Sequence, residues 1–387
     1  KWFALIFYLI VYLASIGLAI SSDCLLIRNK KGRSFFLYAL SGVVLAAVRG
    51  LRYGIGIDYF YTYVPRFYDA LNGMTTRNGI IIDSFIRLIG FFSADYRVYF
   101  FIDSLLFILL VYLCIWISCD QKAIPVAMFC VTYHYLRSFI FQTQYLASAL
   151  MLLSCCLLLR KCKTRIVPVG CCVLAISIHL SSAVLLIVWL PLFFKCFEKK
   201  RQINLLLVSL LPILALLFRG AVPTLLHLLE STPYGGYLGS SYDDGEFSWQ
   251  LLLINLCIFL FMLYAFHHFE KLDSGTAKFF LLTQSIALSL SCLTGTIPLL
   301  YRVIYYFMFL QVVSVPLFTL SLNKNRLMAS ILAVLLFGLV QFAYLLPKDT
   351  DWVVPYCSVF NTEDLPSDSQ LLQNQALTEI GVKTATE

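Results

Sequence analysis

The sequence predicts an all-α fold, a polytopic integral membrane protein with about twelve transmembrane helices. Three observations support this prediction. Hydrophobic residues make up 60% of the 387 positions and charged residues only 13%, the mean hydropathy is +0.84, and the apolar residues are gathered into runs. A chain of this composition buries its apolar surface in a bilayer, so we expect membrane lipids as partners and no nucleic acid.

The apolar runs predict the individual helices. Several runs are shorter than the roughly 20 residues that a straight crossing needs, so their number is approximate. The first run is longer than the core of an ordinary signal peptide and precedes a basic loop, which favours a retained helix. The runs cover Phe3 to Ile20, Phe35 to Val48, Val98 to Ser118, Ile124 to Tyr135, Gln144 to Leu159, Ile166 to Ile178, Ala183 to Phe197, Leu205 to Phe218, Trp249 to Phe266, Phe279 to Leu293, Pro298 to Leu320 and Leu327 to Leu346.

The loops between the runs predict the domain organisation and the orientation. Because no long polar linker divides the chain, residues 1–346 are predicted to form one transmembrane domain with loops at 49–97 and 219–248, followed by a polar tail at 347–387. More than half of the 29 lysines and arginines fall in alternate short loops. Cytoplasmic loops are enriched in these residues, so the two long loops and the tail should face the exterior.

The stretch from Ala47 to Tyr63 is the densest in charge and aromatic rings, and it reads A-V-R-G-L-R-Y-G-I-G-I-D-Y-F-Y-T-Y. Arg49 and Arg52 are three residues apart and share one face of a helix end. Planar guanidinium groups suit phosphate oxygens, and Asp58 follows as a lone carboxylate. An ordinary basic and aromatic belt at the membrane interface is the alternative interpretation.

Further ionisable residues are predicted at the same exterior level. Arg137 lies between the fourth and fifth runs, His179 between the sixth and seventh, and Arg302 early in the eleventh. Ionisable groups at membrane depth are costly and usually face a cavity or each other. The pattern therefore indicates one binding site for an anion, to which the side chain of Gln142 would add an amide. Interface anchoring for the arginines and a polar helix break around His179 remain the alternatives.

The cysteine pattern indicates neither a metal site nor a disulfide framework. The 13 cysteines are scattered, and none of them forms a C-x-x-C pair. They are typical of small core residues in a bilayer. We therefore expect no metal and no cofactor.

Four motifs lie in order along the chain: R-G-L-R-Y-G-I-G-I-D-Y after the second run, then R-S-F-I-F-Q-T-Q-Y-L-A-S-A-L, S-I-H-L-S-S-A and Y-R-V-I-Y-Y-F. Together they resemble the EpsG family of bacterial exopolysaccharide polymerases, whose first motif is roughly R-x-G-x-G-T-D-Y-x-x-Y. Ile57 stands where that family usually has threonine, and Thr62 stands where its second tyrosine would fall. The resemblance covers about Phe35 to Leu320, and the residues from Pro347 onwards match nothing in it.

The resemblance implies an enzyme, a Wzy-type polymerase at the outer face of a bacterial inner membrane. Such a glycosyltransferase joins oligosaccharide repeat units carried on undecaprenyl diphosphate into O-antigen, capsular or exopolysaccharide chains. A chain-length regulator would be a further partner. Two other functions are left open: a transporter or flippase for lipid-linked oligosaccharides, and an O-antigen ligase. The absence of evident half-chain repeats and the crowding of charge on one side speak against a carrier.

The resemblance and the charge pattern together assign the candidate residues. Arginines would hold the diphosphate without a metal, because fixed guanidinium groups stabilise charge that develops on phosphate oxygens. A carboxylate or an imidazole would accept the proton of the acceptor hydroxyl. The predicted catalytic residues are Asp58 and His179, and the predicted substrate-binding residues are Arg49, Arg52, Tyr59, Tyr63, Arg137, Gln142 and Arg302. The tyrosines would either stack on sugar rings or anchor the loop.

Overall fold

The structure is a computed structural model that describes residues 2–74, 79–198, 201–226, 236, 238, 245–269, 272–348, 353–354 and 356–360. Within these ranges it is built from helices, and one isolated antiparallel bridge joins Arg52 to Ser358. The α-helices are α1 (Trp2–Ile27), α2 (Lys31–Gly50), α3 (Val64–Leu71), α4 (Ile80–Gly90), α5 (Tyr96–Ser118), α6 (Ala123–Val131), α7 (His134–Ile140), α8 (Gln142–Leu159), α9 (Ile166–Ile178), α10 (Leu186–Phe193), α11 (Arg201–Phe218), α12 (Val222–Leu226), α13 (Trp249–His268), α14 (Ser274–Cys292), α15 (Leu300–Phe309), α16 (Gln311–Leu320) and α17 (Lys324–Lys348). The all-α prediction is confirmed.

Each predicted apolar run coincides with one helix or with two helices separated by a short break. Within the described residues, 6 helices are long and apolar enough to cross a membrane, and the pair α15 and α16, bent by 40°, raises the number to 7. The polytopic membrane class is therefore supported, whereas the count of about twelve spans is not confirmed. Most of the predicted loop at 219–248, and the tail beyond 360, lie outside the described residues.

Helices α1, α2 and α5 pack closely and are joined by polar contacts. The hydroxyl of Ser41 on α2 lies 2.9 Å from that of Ser15 on α1 and 2.8 Å from that of Tyr112 on α5. Such hydrogen bonds link helices where lipid offers no alternative partner. At the end of α2, a Cβ added to Gly50 would lie 3.0 Å from the Cα of Phe101. This close approach fixes where α2 ends against α5.

Helices α6, α7 and α8 follow one another along the chain and are separated by two short breaks. Tyr133 adopts a left-handed conformation (φ 67°) between α6 and α7, and Phe141 (φ −94°, ψ 56°) separates α7 from α8. All seven residues of α7 are buried. Helix breaks at membrane depth are tolerated where protein groups satisfy the freed backbone. The buried end of α7 therefore needs hydrogen-bond partners from other parts of the chain.

The predicted site residues come together at one end of the bundle. Helix α2 ends there, α7 gives way to α8, α9 ends and α15 begins. Residues 51–58 form a loop after α2 and lead into a π-helix at Tyr59–Tyr63 and then α3. The sequence motifs that are far apart along the chain are thus neighbours in space.

The C-terminal segment at 353–360 packs on the same loop. The N–H of Tyr53 donates to the carbonyl of Cys357 (3.0 Å), and the N–H of Val359 donates to that of Leu51 (2.9 Å). The hydroxyl of Tyr356 also donates to the carbonyl of Val48 (2.9 Å). These residues belong to the region predicted as a polar tail, and they hold the start of the loop in place.

Candidate functional site

The C-terminal end of α7 is held by the first sequence motif. A helix leaves its last four carbonyls without intrahelical partners, and here each of them accepts a hydrogen bond. The carbonyls of Arg137, Ser138, Phe139 and Ile140 accept from the N–H of Phe141, the guanidinium of Arg49, the guanidinium of Arg52 and the hydroxyl of Tyr63, respectively. Cations at a helix C-terminus also complement its dipole. The motif therefore completes a helix end that is buried in the protein.

Arg49 is buried and forms an ion pair inside the bundle. Its Nη1 lies 2.8 Å from Oδ2 of Asp103 on α5, and both side chains are at most 1% exposed. Its Nε also donates to Oγ of Ser138 (3.1 Å), and its guanidinium lies 4.8 Å from the ring centre of Phe107. Asp103, a carboxylate within the apolar run from Val98 to Ser118, is thus the counter-ion of Arg49.

Arg52 is buried among aromatic rings. Its guanidinium lies 5.2 Å from the ring centres of both Phe100 and Phe139, and it donates to the carbonyls of Arg49 and Phe139. Burial, followed by repulsion from Arg49, lowers the pKa of Arg52 to about 10, so the group stays protonated at neutral pH. Ring faces stabilise such a desolvated cation.

The tyrosines of the motif divide into buried and exposed positions. Tyr59 is 1% exposed and packs 4.5 Å from the ring of Phe100, while Tyr63 is 4% exposed and its hydroxyl accepts from the N–H of Gln142. Tyr61 is 37% exposed. The contacts of Tyr59 and Tyr63 are those of loop anchors. Tyr61 alone of the three presents a large exposed surface.

Gly56 lets this loop lie directly on α7. Its φ of +95° is in the region that favours glycine, and a Cβ at this position would lie 3.2 Å from the carbonyl oxygen of Phe139. A side chain here would meet backbone that cannot move aside. The loop can therefore bring Arg52 and Tyr63 to the helix end only with glycine at this position.

A second group of ionisable side chains is more accessible than Arg49 and Arg52. Asp58 is half-buried and accepts from the hydroxyl of Thr62 (3.3 Å). Burial raises the pKa of the Asp58 carboxyl, and the nearby guanidinium groups of Arg302 and Arg66 act in the opposite direction. The same two arginines are close enough to His179 to disfavour its charged form. Two cations from α3 and α15 thus interact electrostatically with a carboxylate and an imidazole, and we call these four residues the polar cluster.

His179 is neutral and hydrogen-bonded. Its Nδ1 lies 2.7 Å from the hydroxyl of Ser181 and 2.7 Å from that of Tyr306, and these hydroxyls are 3.0 Å apart. Burial, followed by the charges of Arg66 and Arg302, lowers the pKa of His179 to about 4. These contacts orient the ring, and the lowered pKa makes it a weak proton acceptor.

Arg137 lies within α7, one turn before the break at Phe141, and Gln142 is the first residue of α8. The guanidinium of Arg137 is 4.2 Å from the ring centre of Tyr305 on α15. Gln142 has no exposed surface, and neither Nε2 nor Oε1 of its side chain has a hydrogen-bond partner within the described part of the chain. A buried amide without partners costs free energy. Its hydrogen-bonding capacity is therefore open to a group that enters the site.

Seven of the nine predicted site residues thus fall into two sets, and Arg137 and Gln142 belong to neither. Arg49, Arg52, Tyr59 and Tyr63 form a buried frame, which supports α7, and the polar cluster contains Asp58, His179 and Arg302. The sequence analysis did not single out Arg66, which is 6% exposed, or Tyr306. The available signals were an arginine directly after Pro65 in an aromatic stretch and a tyrosine within the last motif.

The donor set of the site contains guanidinium, hydroxyl and amide groups with one carboxylate. Among the described residues, no group of three or more histidine, cysteine, aspartate or glutamate side chains could hold a metal ion. Guanidinium groups bind anions, and phosphate or carboxylate oxygens are their best partners. The arrangement is thus suited to holding an anion next to a proton acceptor.

Comparison with known proteins identifies the family. The chain matches the model of the EpsG family over residues 35–358. No curated protein and no solved structure gives a match. The matched range includes the buried frame and the polar cluster, and it continues beyond Pro347, where the sequence motifs had given no correspondence, to the segment that packs on the loop. Because the match covers most of its length, the chain belongs to the EpsG family.

Proposed function

We propose that this protein is a polysaccharide polymerase that acts on lipid-linked oligosaccharide repeat units. Membership in the EpsG family supports a polymerase-type role, and the observation that carries the site assignment is the polar cluster. Two guanidinium groups from separate helices act electrostatically on a half-buried carboxylate. This combination fits the departure of a diphosphate and the deprotonation of a hydroxyl in one place.

In the proposed reaction, a hydroxyl oxygen of the acceptor sugar attacks the anomeric carbon of the donor glycan. The bond between that carbon and the diphosphate oxygen breaks, and the electron pair leaves with the lipid diphosphate. Arg302 and Arg66 neutralise the charge that develops there, with Arg137 at the edge of the site. Fixed cations in a poorly hydrated site supply such stabilisation without reorganisation.

Asp58 is the preferred proton acceptor, and His179 has a different role. Burial raises the pKa of Asp58 and lowers that of His179 to about 4. Burial thus strengthens the carboxylate as a base and weakens the imidazole. We propose that neutral His179, oriented by Ser181 and Tyr306, hydrogen-bonds to the sugar, and that the open amide of Gln142 does the same.

The proposed setting is the outer face of a bacterial inner membrane, with undecaprenyl diphosphate as the lipid carrier. The concentration of lysine and arginine at the opposite end of the bundle favours this orientation. In this arrangement Arg49 and Arg52 act as positioning residues. They hold the end of α7 and thereby place Arg137 and Gln142.

The polymerase function predicts a specific glycan pattern. Cells that lack this gene should accumulate single repeat units and lose the ladder of longer chains, and the wild-type gene should restore the ladder. The measurement is electrophoresis of the extracted glycans at matched membrane levels of the protein. A ladder that persists in the deletion strain contradicts the proposal. Single repeats that fail to reach the outer face would identify a transporter instead.

Replacing Arg302 should reduce polymerisation strongly. Arg302→Ala removes a cation from the polar cluster, and loss of one such stabilising group typically reduces a rate about 10²- to 10³-fold. Arg302→Lys should recover only part of the activity, because an ammonium group lacks the planar fork. The measurement is the rate of chain elongation in membranes.

Arg97→Gln is the matched control for Arg302. Arg97 lies near the same end of the bundle, but its side chain is 42% exposed and pairs with Asp95. Its removal should leave the elongation rate within about twofold, since exposed ion pairs contribute little. Equal losses in both variants would mean that elongation depends on the total positive charge at this end of the bundle and not on Arg302 in particular.

A further inference from the structure

A basic cavity lies at the opposite end of the bundle from the polar cluster. It has a volume of about 290 Å³ and is formed by the α8–α9 connection, the residues after α10 and the start of α14. Its polar lining includes Lys161, Lys163, Arg165 and Lys195, with Asp273 as a carboxylate. We call these five residues the basic rim. The cavity thus carries an excess of positive charge and is spatially separate from the proposed catalytic site.

Two of the rim lysines occupy backbone positions that favour glycine. Lys161 has a φ of +53° and Lys195 a φ of +58°. Lys161 directly follows α8, and the N–H of the next residue, Cys162, bonds back to the carbonyl of Leu157 (3.0 Å). Glycine is the usual residue at such a left-handed helix end. Left-handed conformations of other residues cost free energy and are found preferentially at functional sites.

Part of the cavity lining is apolar, and we call this part the apolar floor. Leu159, Leu192, Phe193 and Phe197 line it. The guanidinium of Arg165 lies 4.9 Å from the ring centre of Phe193, so the cation sits directly above the apolar floor. A cationic rim above an apolar surface matches an amphiphile, whose charged head and apolar chain need these two environments side by side.

Asp273 is already engaged in the structure. Its carboxylate accepts from the N–H of Thr276 (3.0 Å) and caps the start of α14. The cavity lining therefore carries four cations and one carboxylate, and this carboxylate already accepts a hydrogen bond from the first turn of α14.

We propose that this cavity binds the phosphate group of an anionic phospholipid headgroup. Basic cavities between transmembrane helices on the lysine- and arginine-rich side are suited to such headgroups. The lysines provide the point charges for the phosphate, and the apolar floor receives the start of the acyl chains. Free inorganic phosphate shares the charged part of this chemistry but would leave the apolar floor unused.

The test uses the purified full-length chain in detergent micelles. Thermal unfolding is followed while dioleoylphosphatidylglycerol is added, with dioleoylphosphatidylcholine and sodium phosphate at matched ionic strength in parallel. A ligand that binds the folded state raises the unfolding midpoint with its concentration. We expect a saturable rise with phosphatidylglycerol only. No difference between the two lipids, or a full effect from sodium phosphate alone, overturns the proposal.

Glycine substitutions separate binding from folding. Lys161→Gly and Lys195→Gly each remove a cation while relieving the left-handed backbone, so the midpoint without lipid should stay equal or rise. The apparent affinity for phosphatidylglycerol should fall about fivefold per lysine. Asp273→Asn keeps a capping residue and should increase the affinity.

Arg28→Gln is the control, because Arg28 is exposed in the loop between α1 and α2, also at the basic end of the bundle. It should leave the affinity for phosphatidylglycerol unchanged. A loss equal to that of the glycine variants would overturn the assignment to this cavity. Lys163→Gln provides a further rim variant with an ordinary backbone conformation, and it should weaken binding as the glycine variants do.

Discussion

Asp58→Asn should strongly reduce chain elongation while leaving the protein folded. The substitution keeps the shape of the side chain and its contact with Thr62 but removes the proton acceptor. General-base catalysis typically contributes about 10²- to 10⁴-fold to a rate, so we expect a loss in this range. The measurement is elongation by purified protein in liposomes supplied with a lipid-linked repeat unit.

The pH dependence identifies the group that accepts the proton. In the proposed mechanism only the deprotonated carboxylate of Asp58 is active, so the wild-type rate should be flat around neutral pH and fall as the pH drops through the pKa of Asp58, which burial raises. His179→Gln should lower the rate and retain this acid-side fall. The residual activity of Asp58→Asn should lack it. The reverse pattern would make His179 the base.

Asp69→Asn is the control for Asp58. Asp69 is a carboxylate on α3, in the same part of the chain and also half-buried. Its neutralisation should change the elongation rate by less than about threefold, since it belongs to neither set of site residues. A comparable loss in this variant would show that the effect of Asp58→Asn is one of local structure.

Asp103→Ala should destabilise the protein by about 3–5 kcal/mol, because it leaves the buried guanidinium of Arg49 without its counter-ion. We expect a strongly reduced unfolding temperature in detergent and low levels in the membrane. Arg49→Ala should be as damaging, since it also frees the carbonyl of Ser138. The double variant should lose less than the sum of the two single variants, because neither charge is then unpaired.

Ser104→Ala shows how much stability the loss of one neutral hydrogen bond costs, for comparison with Asp103→Ala. Ser104 is adjacent to Asp103, and its hydroxyl donates to the carbonyl of Ala46 on α2 (2.8 Å). Losing this neutral hydrogen bond should cost about 1 kcal/mol. If Asp103→Ala costs no more than Ser104→Ala, the ion pair does not hold α2 against α5.

The sequence predicted the fold class and the neighbourhood of the site residues for physical reasons. Apolar runs reveal membrane helices directly, because backbone groups in lipid must be satisfied within the segment. The motifs with Arg49, Asp58, His179 and Arg302 stood out because charge near a bilayer is costly. The number of spans did not follow from the sequence, since a bent pair such as α15 and α16 has the same composition as separate helices.

The sequence could not distinguish the arginines of the frame from those of the polar cluster. Arg52 and Arg302 lie in similar aromatic contexts, yet one donates to buried carbonyls and the other lies beside Asp58. The difference depends on where α7 ends, and a break at Phe141 has no signal of its own in an apolar sequence. Arg66 escaped notice for a related reason, because its electrostatic effect on Asp58 and His179 arises only in the folded protein.

The contact of the segment at 353–360 with the loop after α2 has a consequence for biosynthesis. Residues such as Tyr53 leave the ribosome some 300 positions before Cys357, which supplies a hydrogen-bond acceptor for its backbone. Until then, the start of the loop lacks these partners, although α2, α5 and α7 can already be inserted and packed. The loop after α2 therefore reaches its final backbone pairing only after residues 353–360 have been synthesised, which delays its maturation relative to the helices that carry it.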